Sequence, residues 1–551
     1  MNKFDFDYVL ETFVGGNGLW QWRQFCYLLL QSAANSVPFL IHLFTAYTPD
    51  HRCSIPNCDR LNSTFNAPFL NFSIPANDLS QNFLKEATEY SQCRMFQVIG
   101  NSCGEESFNP TETVECLDYV YDNTMFETTF VTELDLVCEE ADKTKFLGSI
   151  LMVGVMVGCL IGGPLSDKLG RKLALTFALA VIAPSVIVGG FIPNYYAYAT
   201  FRFLTVVSVS AMWIAGHAMV LELFGKKVRK FAYTLNSIWY SLSNLLLPGI
   251  AYFIRDWRYI HLGSGLISLI ALPIIYFCLT ESLRWMVLNG KVEEVKVKLR
   301  HVGKVNKRAL SEEDLDEMDY ILETMAARAK TNDERRLGPW NMFAKKFLLQ
   351  TLILFGIWMT SVLSYYALTL NVEGLAGDMF LNYVISMLVD LPANLIIMAS
   401  VDKLGRKFLI VVGMASLGIS CIAMGFMDKS NSTVIMGLFL VGKVTSTMAM
   451  NTVWLYTAEL YPTNLRSQAV ATCSFVARIA GVTAPFITKL EMIWLPFPMV
   501  VLGIPAILFG GLALFLKETA KVHLPETVDS PTLTKDEEMR VNFSESSTTN
   551  L

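Results

Sequence analysis

Charged side chains are scarce in this sequence. Only 17% of the 551 residues are Asp, Glu, Lys or Arg, whereas roughly a quarter are charged in soluble domains. Hydrophobic residues make up 53% and the mean hydropathy is +0.40. Apolar runs of about 20 residues recur, and each is long enough to cross about 30 Å of hydrocarbon. The composition therefore excludes an ordinary soluble domain and predicts a membrane protein.

The sequence also lacks the motifs of catalysis. No phosphate-binding glycine loop, no nucleophile-and-base motif and no metal-spaced cluster of His and Cys stands in a soluble segment. We therefore expect no enzyme, no cofactor, no metal and no nucleic-acid partner. No cleavable signal peptide is expected, because residues 1–18 are acidic and aromatic rather than basic and then apolar. The first apolar helix is expected to act as its own insertion signal.

The long apolar runs predict twelve membrane-spanning helices, because every backbone amide and carbonyl has to be hydrogen-bonded inside lipid. The predicted segments are 23–46, 145–165, 173–193, 198–220, 231–254, 260–280, 347–370, 379–400, 408–427, 433–456, 467–488 and 496–516. Two long interruptions, 48–144 and 281–346, follow the first and the sixth segment. The predicted fold class is an all-α membrane protein with two six-helix halves. The halves span 23–280 and 347–516, and segments 1–22 and 517–551 flank them.

Positive charge is unevenly distributed over the links between these segments. The links after segments 2, 4 and 8 and the interruption 281–346 are rich in Lys and Arg, whereas two opposite links carry none. Arg255 and Arg258 are exceptions on the poor side. Because positively charged links stay in the cytoplasm, both termini and 281–346 are predicted to be cytoplasmic. Residues 48–144 are then an extracellular loop.

The predicted extracellular loop concentrates the cysteines. It holds six of the eleven, namely Cys53, Cys58, Cys93, Cys103, Cys116 and Cys138. An even set in an oxidising compartment predicts three disulfides, although the sequence leaves their pairing open. The motifs that begin at Asn62 and Asn71 predict N-glycosylation of the same loop.

Two polar segments are predicted on the cytoplasmic side. The linker 281–346 contains two stretches, Val292–Arg300 and Glu312–Ala329, that predict short amphipathic helices in an otherwise solvated connection. The tail after Glu526 is polar and predicted to be disordered. Its end, Thr549-Asn550-Leu551, fits the [Ser/Thr]-x-apolar terminus that PDZ domains take as an added strand.

A short charged motif occurs twice. Asp167-Lys168-Leu169-Gly170-Arg171-Lys172 returns as Asp402-Lys403-Leu404-Gly405-Arg406-Lys407, 235 residues later (402 − 167). A second pair of residues repeats at nearly the same offset, Glu222 with Arg229 and Glu459 with Arg466, 237 apart (459 − 222). Charged motifs in the same order between apolar segments indicate a duplicated bundle. In transporters such repeats place the substrate site at the interface of the halves.

The repeated motifs also predict a salt-bridge network. The two glycines permit a tight reversal between helices, and the two arginines offer planar forks to carboxylates. Such bridges at the cytoplasmic face are expected to hold the halves closed until they break, although topology-setting charge alone is an alternative. The predicted gate comprises Asp167, Arg171, Glu222, Arg229, Glu281, Arg284, Asp402, Arg406, Glu459 and Arg466.

These motifs resemble a known family. Gly163–Lys172 resembles the signature of major facilitator superfamily transporters, which implies the major facilitator fold. A narrower resemblance is to the organic cation, organic anion and carnitine transporter family. It rests on the six-cysteine loop, Trp257-Arg258, Glu281–Trp285, Thr457–Thr463 with Arg466, and Leu524–Thr527. The family implies transport of small organic ions across the plasma membrane through a cavity lined by aromatic side chains.

The resemblance also bears on substrate charge. The cation branch of the family has acidic residues in helices 11 and 10 where this chain has Arg478 and Asn451, whereas the anion branch has a lysine where this chain has Asn394. We therefore expect organic anions or zwitterions such as carnitine-like compounds. An organic cation transporter whose carboxylate is Asp390 is the alternative, and a non-transporting receptor or scaffold is the alternative from another class.

Ionisable residues inside the membrane are the first candidates for the site, because burying them there is costly. Arg478 is expected to contact a substrate carboxylate, and a buried pair with Asp390 is the structural alternative. Lys443 is expected to contact substrate for the same reason. His217 is a candidate for proton coupling, the alternative being a neutral hydrogen-bonded side chain; the co-transported ion would be Na⁺ or H⁺. The predicted substrate-binding set is Arg478, Asp390, Asn451, Tyr365, Tyr366, Trp213, Trp239 and Lys443.

Overall fold

The computed structural model describes residues 6–520, apart from short gaps. These gaps are 57, 60–63, 77–89, 101, 309–310, 333–338, 371, 373–377, 429–430 and 463–464. The predicted glycosylation site at Asn62 and the predicted PDZ-binding terminus at Thr549–Leu551 therefore lie outside the described residues.

The chain begins with a buried segment that leads into the first long helix. A helical turn α1 (Phe6–Val9) and a π-helical turn (Leu10–Val14) bury Phe6, Leu10 and Phe13. Helix α2 (Leu19–Leu40) follows and continues through the short α3 (His42–Thr45). Pro38 stands in the last turn of α2, where its missing amide weakens the helix just before the chain is redirected.

The cysteine-rich loop forms a small domain of its own. It contains β1 (His51–Cys53), α4 (Leu70–Ser73), β2 (Arg94–Val98), β3 (Phe108–Glu115), β4 (Tyr119–Tyr121) and α5 (Phe130–Glu133). Strands β1 and β4 pair antiparallel, and so do β2 and β3. Three disulfides, Cys53–Cys116, Cys58–Cys103 and Cys93–Cys138, connect these elements. The three predicted disulfides are thus present, and the structure supplies their pairing.

The remaining helices of the first half are α6 (Ala141–Leu169), α7 (Arg171–Gly190), α8 (Tyr195–Leu223), α9 (Lys226–Ser243), α10 (Leu246–Phe253) and α11 (Trp257–Cys278). Helix α6 ends at Gly170, whose φ of 102° reverses the chain at a value that favours glycine. The Asn194 side chain accepts hydrogen bonds from the amides of Tyr196 and Ala197 and so starts α8.

The linker between the halves is more ordered than the predicted solvated connection. It forms α12 (Leu283–Leu288), α13 (Val292–Val305) and α14 (Glu312–Asn332). Val295, Leu299 and Val302 of α13 are buried, as are Met318 and Leu322 of α14. The spacing of three or four residues puts these side chains on one face of each helix, so the linker packs against the N-terminal segment instead of lying free in solvent.

The second half repeats the pattern of the first. Its helices are α15 (Leu348–Leu370), α16 (Met379–Leu388), α17 (Asp390–Leu404), α18 (Arg406–Gly425), α19 (Ser432–Leu460), α20 (Arg466–Thr483) and α21 (Phe497–Leu512). Gly405, with a φ of 91°, reverses the chain after α17 as Gly170 does after α6. A 3₁₀ segment (Ala484–Met492) extends α20.

Over the described ranges, eleven helical segments are long and apolar enough to cross a membrane. The remaining predicted segment, the fifth (231–254), is divided into α9 and α10, which meet at Asn244 and Leu245. Helix α9 is less apolar than the other segments because four basic residues lie in its first five positions and Ser, Tyr and Asn side chains line one of its faces. The cysteine-rich domain lies at one end of the helix bundle, which is called the loop face below. The linker lies at the opposite end, which is called the linker face.

Candidate functional site: a charged and aromatic cavity between the halves

A cavity of about 150 Å³ lies between the two halves. Helices α2, α6, α8 and α9 line it from the first half, and α15, α17, α19 and α20 line it from the second. It extends toward the linker face, since His217, Tyr233 and Trp454 lie within about two turns of the helix ends there. A site shared by the two halves is the arrangement that the internal repeat predicts.

Arg478 is the basic side chain that lines this cavity. Its side chain is buried, and its Nη1 donates a hydrogen bond to the hydroxyl of Tyr366 at 3.0 Å. The guanidinium also lies 5.6 Å from the centre of the Tyr366 ring. Its Nε is buried without a hydrogen-bond partner. Arg478 therefore keeps a donor that no group in the described part of the chain uses.

Asp390 occupies a different part of the cavity wall, at the start of α17. Its carboxylate accepts a hydrogen bond from Thr447 Oγ1 at 2.6 Å and one from the Tyr365 hydroxyl at 3.5 Å. Within the described part of the chain, no ion pair joins it to Arg478. The predicted alternative of an Arg478–Asp390 pair is therefore wrong, because each side chain is held by a tyrosine on its own side.

Two asparagines continue this polar wall. Asn451 Nδ2 donates to Asn394 Oδ1 at 2.8 Å, and Asn394 Nδ2 donates to the Asp390 carbonyl at 2.9 Å. Asn451 thus lines the cavity as predicted from the resemblance. Its amide is partly satisfied by Asn394, the residue that stands where the anion branch has lysine.

Lys443 does not line the cavity. Its side chain is completely buried, its Nζ donates to Thr369 Oγ1, and the ammonium lies 3.8 Å above the centre of the Tyr365 ring. Thr369 and Tyr365 line the cavity in front of it. The structure therefore does not support the predicted direct contact between Lys443 and substrate.

The first half contributes aromatic rings instead of charge. Trp213 packs against His217 at 4.0 Å and against Tyr240 at 4.5 Å between ring centres. His217 Nδ1 hydrogen-bonds the Trp213 carbonyl at 2.9 Å. This bond matches the alternative expected for the histidine, a side chain satisfied within its own helix.

Trp239, predicted to bind substrate, lies outside the cavity. Its indole Nε1 donates to the Leu29 carbonyl at 2.9 Å, and 39% of the residue is exposed. Tyr240, the next residue of the same helix, lines the cavity instead, which corrects the prediction for Trp239.

Several lining residues were not predicted. They are polar or aromatic, and most lie on α2, α8 and α9: Asn35, Ser210, Tyr233, Ser237, Tyr240, Ser241, Asn244 and Trp454. A signal for the α9 set is present in the sequence, because Tyr233, Ser237, Tyr240 and Asn244 recur every three or four residues and form one polar stripe in a membrane segment.

At the linker face, the charged motif of the first half forms a compact network. Arg171 contacts Asp167 at 2.8 Å and Glu222 at 3.1 Å. Glu281 Oε1 accepts hydrogen bonds from the backbone amides of Arg171 at 2.8 Å and Lys172 at 3.1 Å. Glu281 therefore caps the N-terminus of α7, where a carboxylate is favoured by free amides and by the helix dipole.

The second half reproduces this network. Arg406 contacts Glu459 at 3.0 Å and Asp402 at 3.4 Å. The cap of α18 is Glu518, which accepts from the backbone amides of Arg406 and Lys407, each at 3.1 Å. Glu518 was not predicted, although it stands 237 residues after Glu281 (518 − 281), the offset that also separates Glu222 from Glu459.

Most predicted gate residues do not bridge the halves. Arg229 pairs with Asp7 of the N-terminal segment, and Arg284 lies 4.0 Å from the same carboxylate. Arg466 is the first residue of α20, and its Nε and Nη2 are buried without a hydrogen-bond partner in the described part of the chain. Lys230, which was not predicted, forms an ion pair with Asp402 of the other half. The predicted gate is thus built mainly within each half.

The loop face is closed by aromatic side chains from both halves. Phe44 contacts Tyr383 at 5.0 Å and Phe380 at 5.6 Å between ring centres, and Phe126 of the cysteine-rich domain lies 5.6 Å from Phe380. Ser149 Oγ donates to the Val482 carbonyl at 2.7 Å across the same interface. The halves therefore pack together at the loop face and leave the cavity on the linker side.

The cysteine-rich domain brings together three side chains of the types that bind metal ions. His51, Cys93 and Cys138 place ligand atoms within 4.8 Å of one another. The two cysteines are joined in a disulfide, so their sulfurs are not available as thiolates.

Asn71, the described glycosylation candidate, lies in α4 and accepts a hydrogen bond from Tyr90.

The sequence is similar to known membrane transporters. Residues 138–485 match the profile of the Major Facilitator Superfamily. Organic cation transporter-like protein of Drosophila melanogaster is 29% identical over 520 residues, which cover 92% of this chain and 89% of that protein. Solute carrier family 22 member 6-A of Xenopus laevis is 30% identical over 531 residues, covering 94% and 92%. Solute carrier family 22 member 2 of Homo sapiens is 29% identical over 543 residues, covering 95% and 94%.

The fold is similar to that of solved sugar transporters. The proton:xylose symporter XylE bound to 6-bromo-6-deoxy-D-glucose has a TM-score of 0.60 and 15% sequence identity, covering 91% of this chain and 96% of that one. The inward-open xylose transporter XylE from E. coli gives a TM-score of 0.56 and 17% identity, covering 75% and 93%. At such identity the likeness concerns the fold alone, and it confirms the predicted major facilitator fold.

Proposed function

Because the chain belongs to the major facilitator superfamily, and within it to the organic cation and organic anion transporter family (solute carrier family 22), we propose that it transports small organic anions or zwitterions, such as carnitine-like compounds. The observation that carries this proposal is Arg478. A guanidinium is charged at every physiological pH, and its hydrogen-bond partner here is the neutral Tyr366 hydroxyl. A substrate carboxylate is the ligand that would use its remaining donors.

The aromatic wall of the first half suits the rest of such a substrate. Trp213 and Tyr240 of the first half line the cavity, and Trp454 of the second half lines it as well. Their rings bind apolar groups by burial and ammonium groups by cation–π attraction. A molecule with a carboxylate at one end and an apolar or quaternary ammonium group at the other would match both walls.

The transport cycle in this proposal is alternating access in the plasma membrane. The distribution of Lys and Arg favours a cytoplasmic linker face, with both termini on that side, and an extracellular cysteine-rich domain. The aromatic contacts at the loop face then separate as the halves rock, while the ion pair of Lys230 with Asp402 and the packing of the linker face tighten. Coupling to Na⁺ or H⁺, binding of the tail to a PDZ domain, glycosylation and a lack of enzymatic activity belong to the same proposal.

Uptake by cells that express the protein tests it. Three labelled probes are compared side by side: an aromatic carboxylate, carnitine and a quaternary ammonium without a carboxylate. The variant Arg478→Gln is run with Arg94→Gln, which removes an exposed arginine of β2, and uptake is divided by the amount of protein at the cell surface. We expect uptake of the two carboxylate-bearing probes, and we expect Arg478→Gln to reduce it at least about tenfold, as for a charge-assisted pair worth about 1.5–3 kcal/mol.

Two outcomes favour other functions. Uptake of the quaternary ammonium alone, unchanged in Arg478→Gln and lost in Asp390→Asn, would establish a cation transporter whose carboxylate is Asp390. That second candidate rests on the exposure of Asp390 to the cavity. Normal surface expression with no uptake of any probe would favour the non-transporting receptor or scaffold.

A further inference from the structure

We propose that Lys443 is the internal counter-ion of Asp390, and that this buried pair sets the charge selectivity of the cavity. The inference rests on the proposed function, since it explains why a cavity with one carboxylate and one guanidinium on its wall would prefer anions. It assigns Lys443 a role without substrate contact.

Lys443 is placed so that it can act on the cavity only through its charge. It lies on α19, completely buried, behind the two lining residues Tyr365 and Thr369. Its ammonium is held by the Thr369 hydroxyl and by the face of the Tyr365 ring at 3.8 Å. Both partners are neutral, so the cation still requires a negative charge nearby to offset the cost of burial.

Asp390 supplies that charge. The Tyr365 ring carries the Lys443 ammonium on its face, while the hydroxyl of the same tyrosine donates to Asp390 Oδ2. Thr447 Oγ1 contacts both Asp390 Oδ1 at 2.6 Å and the backbone carbonyl of Lys443 at 3.0 Å. Opposite charges placed on the two sides of one tyrosine attract each other, although among the described contacts no direct ion pair joins Asp390 and Lys443.

The net charge at the cavity follows from this pairing. The positive charge of Lys443 cancels the negative charge of Asp390, and the positive charge of Arg478 remains. An anionic substrate then makes the site neutral. Without Lys443, Asp390 would be an uncompensated carboxylate in the cavity wall, and such a site attracts organic cations.

Three variants test the inference: Lys443→Met, which keeps the side-chain length without the charge, Asp390→Asn, and the double variant. The measured quantity is the ratio of quaternary-ammonium uptake to aromatic-carboxylate uptake, which does not depend on the amount of protein at the surface. We expect Lys443→Met to raise this ratio about tenfold, equivalent to about 1.4 kcal/mol. The double variant should return it close to the wild-type value, and Lys443→Arg should leave it there.

The outcomes separate this inference from the proposed function. If the wild-type protein takes up the carboxylate probe and Lys443→Met leaves the ratio unchanged, the counter-ion role is overturned while anion transport stands. If the wild-type protein takes up no carboxylate probe, the proposed function itself fails. If Lys443→Met does not reach the surface, recovery of surface protein by the double variant supports the pair, and absence of recovery overturns it.

Discussion

The two halves of the molecule are alike at the linker face and unlike in the cavity. At the linker face, Arg171, Glu222 and Glu281 correspond to Arg406, Glu459 and Glu518, with similar contacts in each half. In the cavity, Asp390 and Arg478 both come from the second half, and the first half supplies aromatic and uncharged polar groups. The repeat therefore keeps the parts that shape helix ends, and the halves differ where substrate would bind.

The chain reversals at Gly170 and Gly405 give the strongest test of the similarity between the two halves at the linker face. A Cβ at Gly170 would lie 2.3 Å from Glu281 Oε2, and one at Gly405 would lie 2.4 Å from Glu518 Oε2; both residues also have positive φ. We expect Gly170→Ala and Gly405→Ala each to destabilise the protein by about 2–4 kcal/mol, from backbone strain and displacement of the cap. Thermal unfolding of the detergent-solubilised protein measures this. Gly163→Ala, with nothing within 4 Å of the new methyl group, is the control and should be neutral.

The capping carboxylates test the same similarity with a smaller expected loss of stability. Glu281→Gln and Glu518→Gln keep the shape of the cap and remove its charge, so each should cost about 1–2 kcal/mol. Glu112→Gln, at an exposed position of strand β3 away from any helix end, serves as the matched control. A large loss for one cap and none for the other, in the same unfolding assay, would show that the two networks are alike in geometry and not in energy.

The aromatic wall tests the difference between the halves. Trp213→Ala should raise the KM of an aromatic carboxylate by up to about tenfold, because a ring pair contributes about 0.5–1.5 kcal/mol beyond the area it buries. Trp239→Ala removes an equally large side chain of the same half that lies outside the cavity, and it should leave the KM unchanged. Equal effects of the two variants would mean that the substrate does not contact the first half at Trp213.

The smallest effect is expected at the ion pair that crosses the halves. Lys230 and Asp402 are exposed, so removing the charge with Lys230→Gln should change the transport rate by less than about fivefold, in line with at most about 1 kcal/mol for such pairs. The exposed Lys403→Gln at the same face is the control. Transport that ceases in Lys230→Gln alone would mark the pair as an essential gate.

The sequence predicted the charged residues at membrane depth but not their hydrogen-bond partners. Arg478, Asp390 and Lys443 were found because an ionisable residue in an apolar segment is conspicuous. Their contacts with Tyr366, Thr447 and Thr369 depend on which helices are neighbours, and those helices are remote in sequence. Glu518 was recoverable from the 237-residue offset, whereas the outward direction of Trp239 required the rotation of α9 about its axis.

The sequence alone determined the properties that depend on local length, period and charge. These are the membrane segments, the duplicated charged turns, the cysteine-rich domain and the presence of ionisable residues at membrane depth. The tertiary structure decided the disulfide pairing, the division of the fifth segment, the confinement of each arginine network to its own half and the position of Lys443 behind the cavity wall. The physical reason is that backbone hydrogen bonding and hydrophobicity act over neighbouring residues, whereas these other features depend on how distant helices pack against one another.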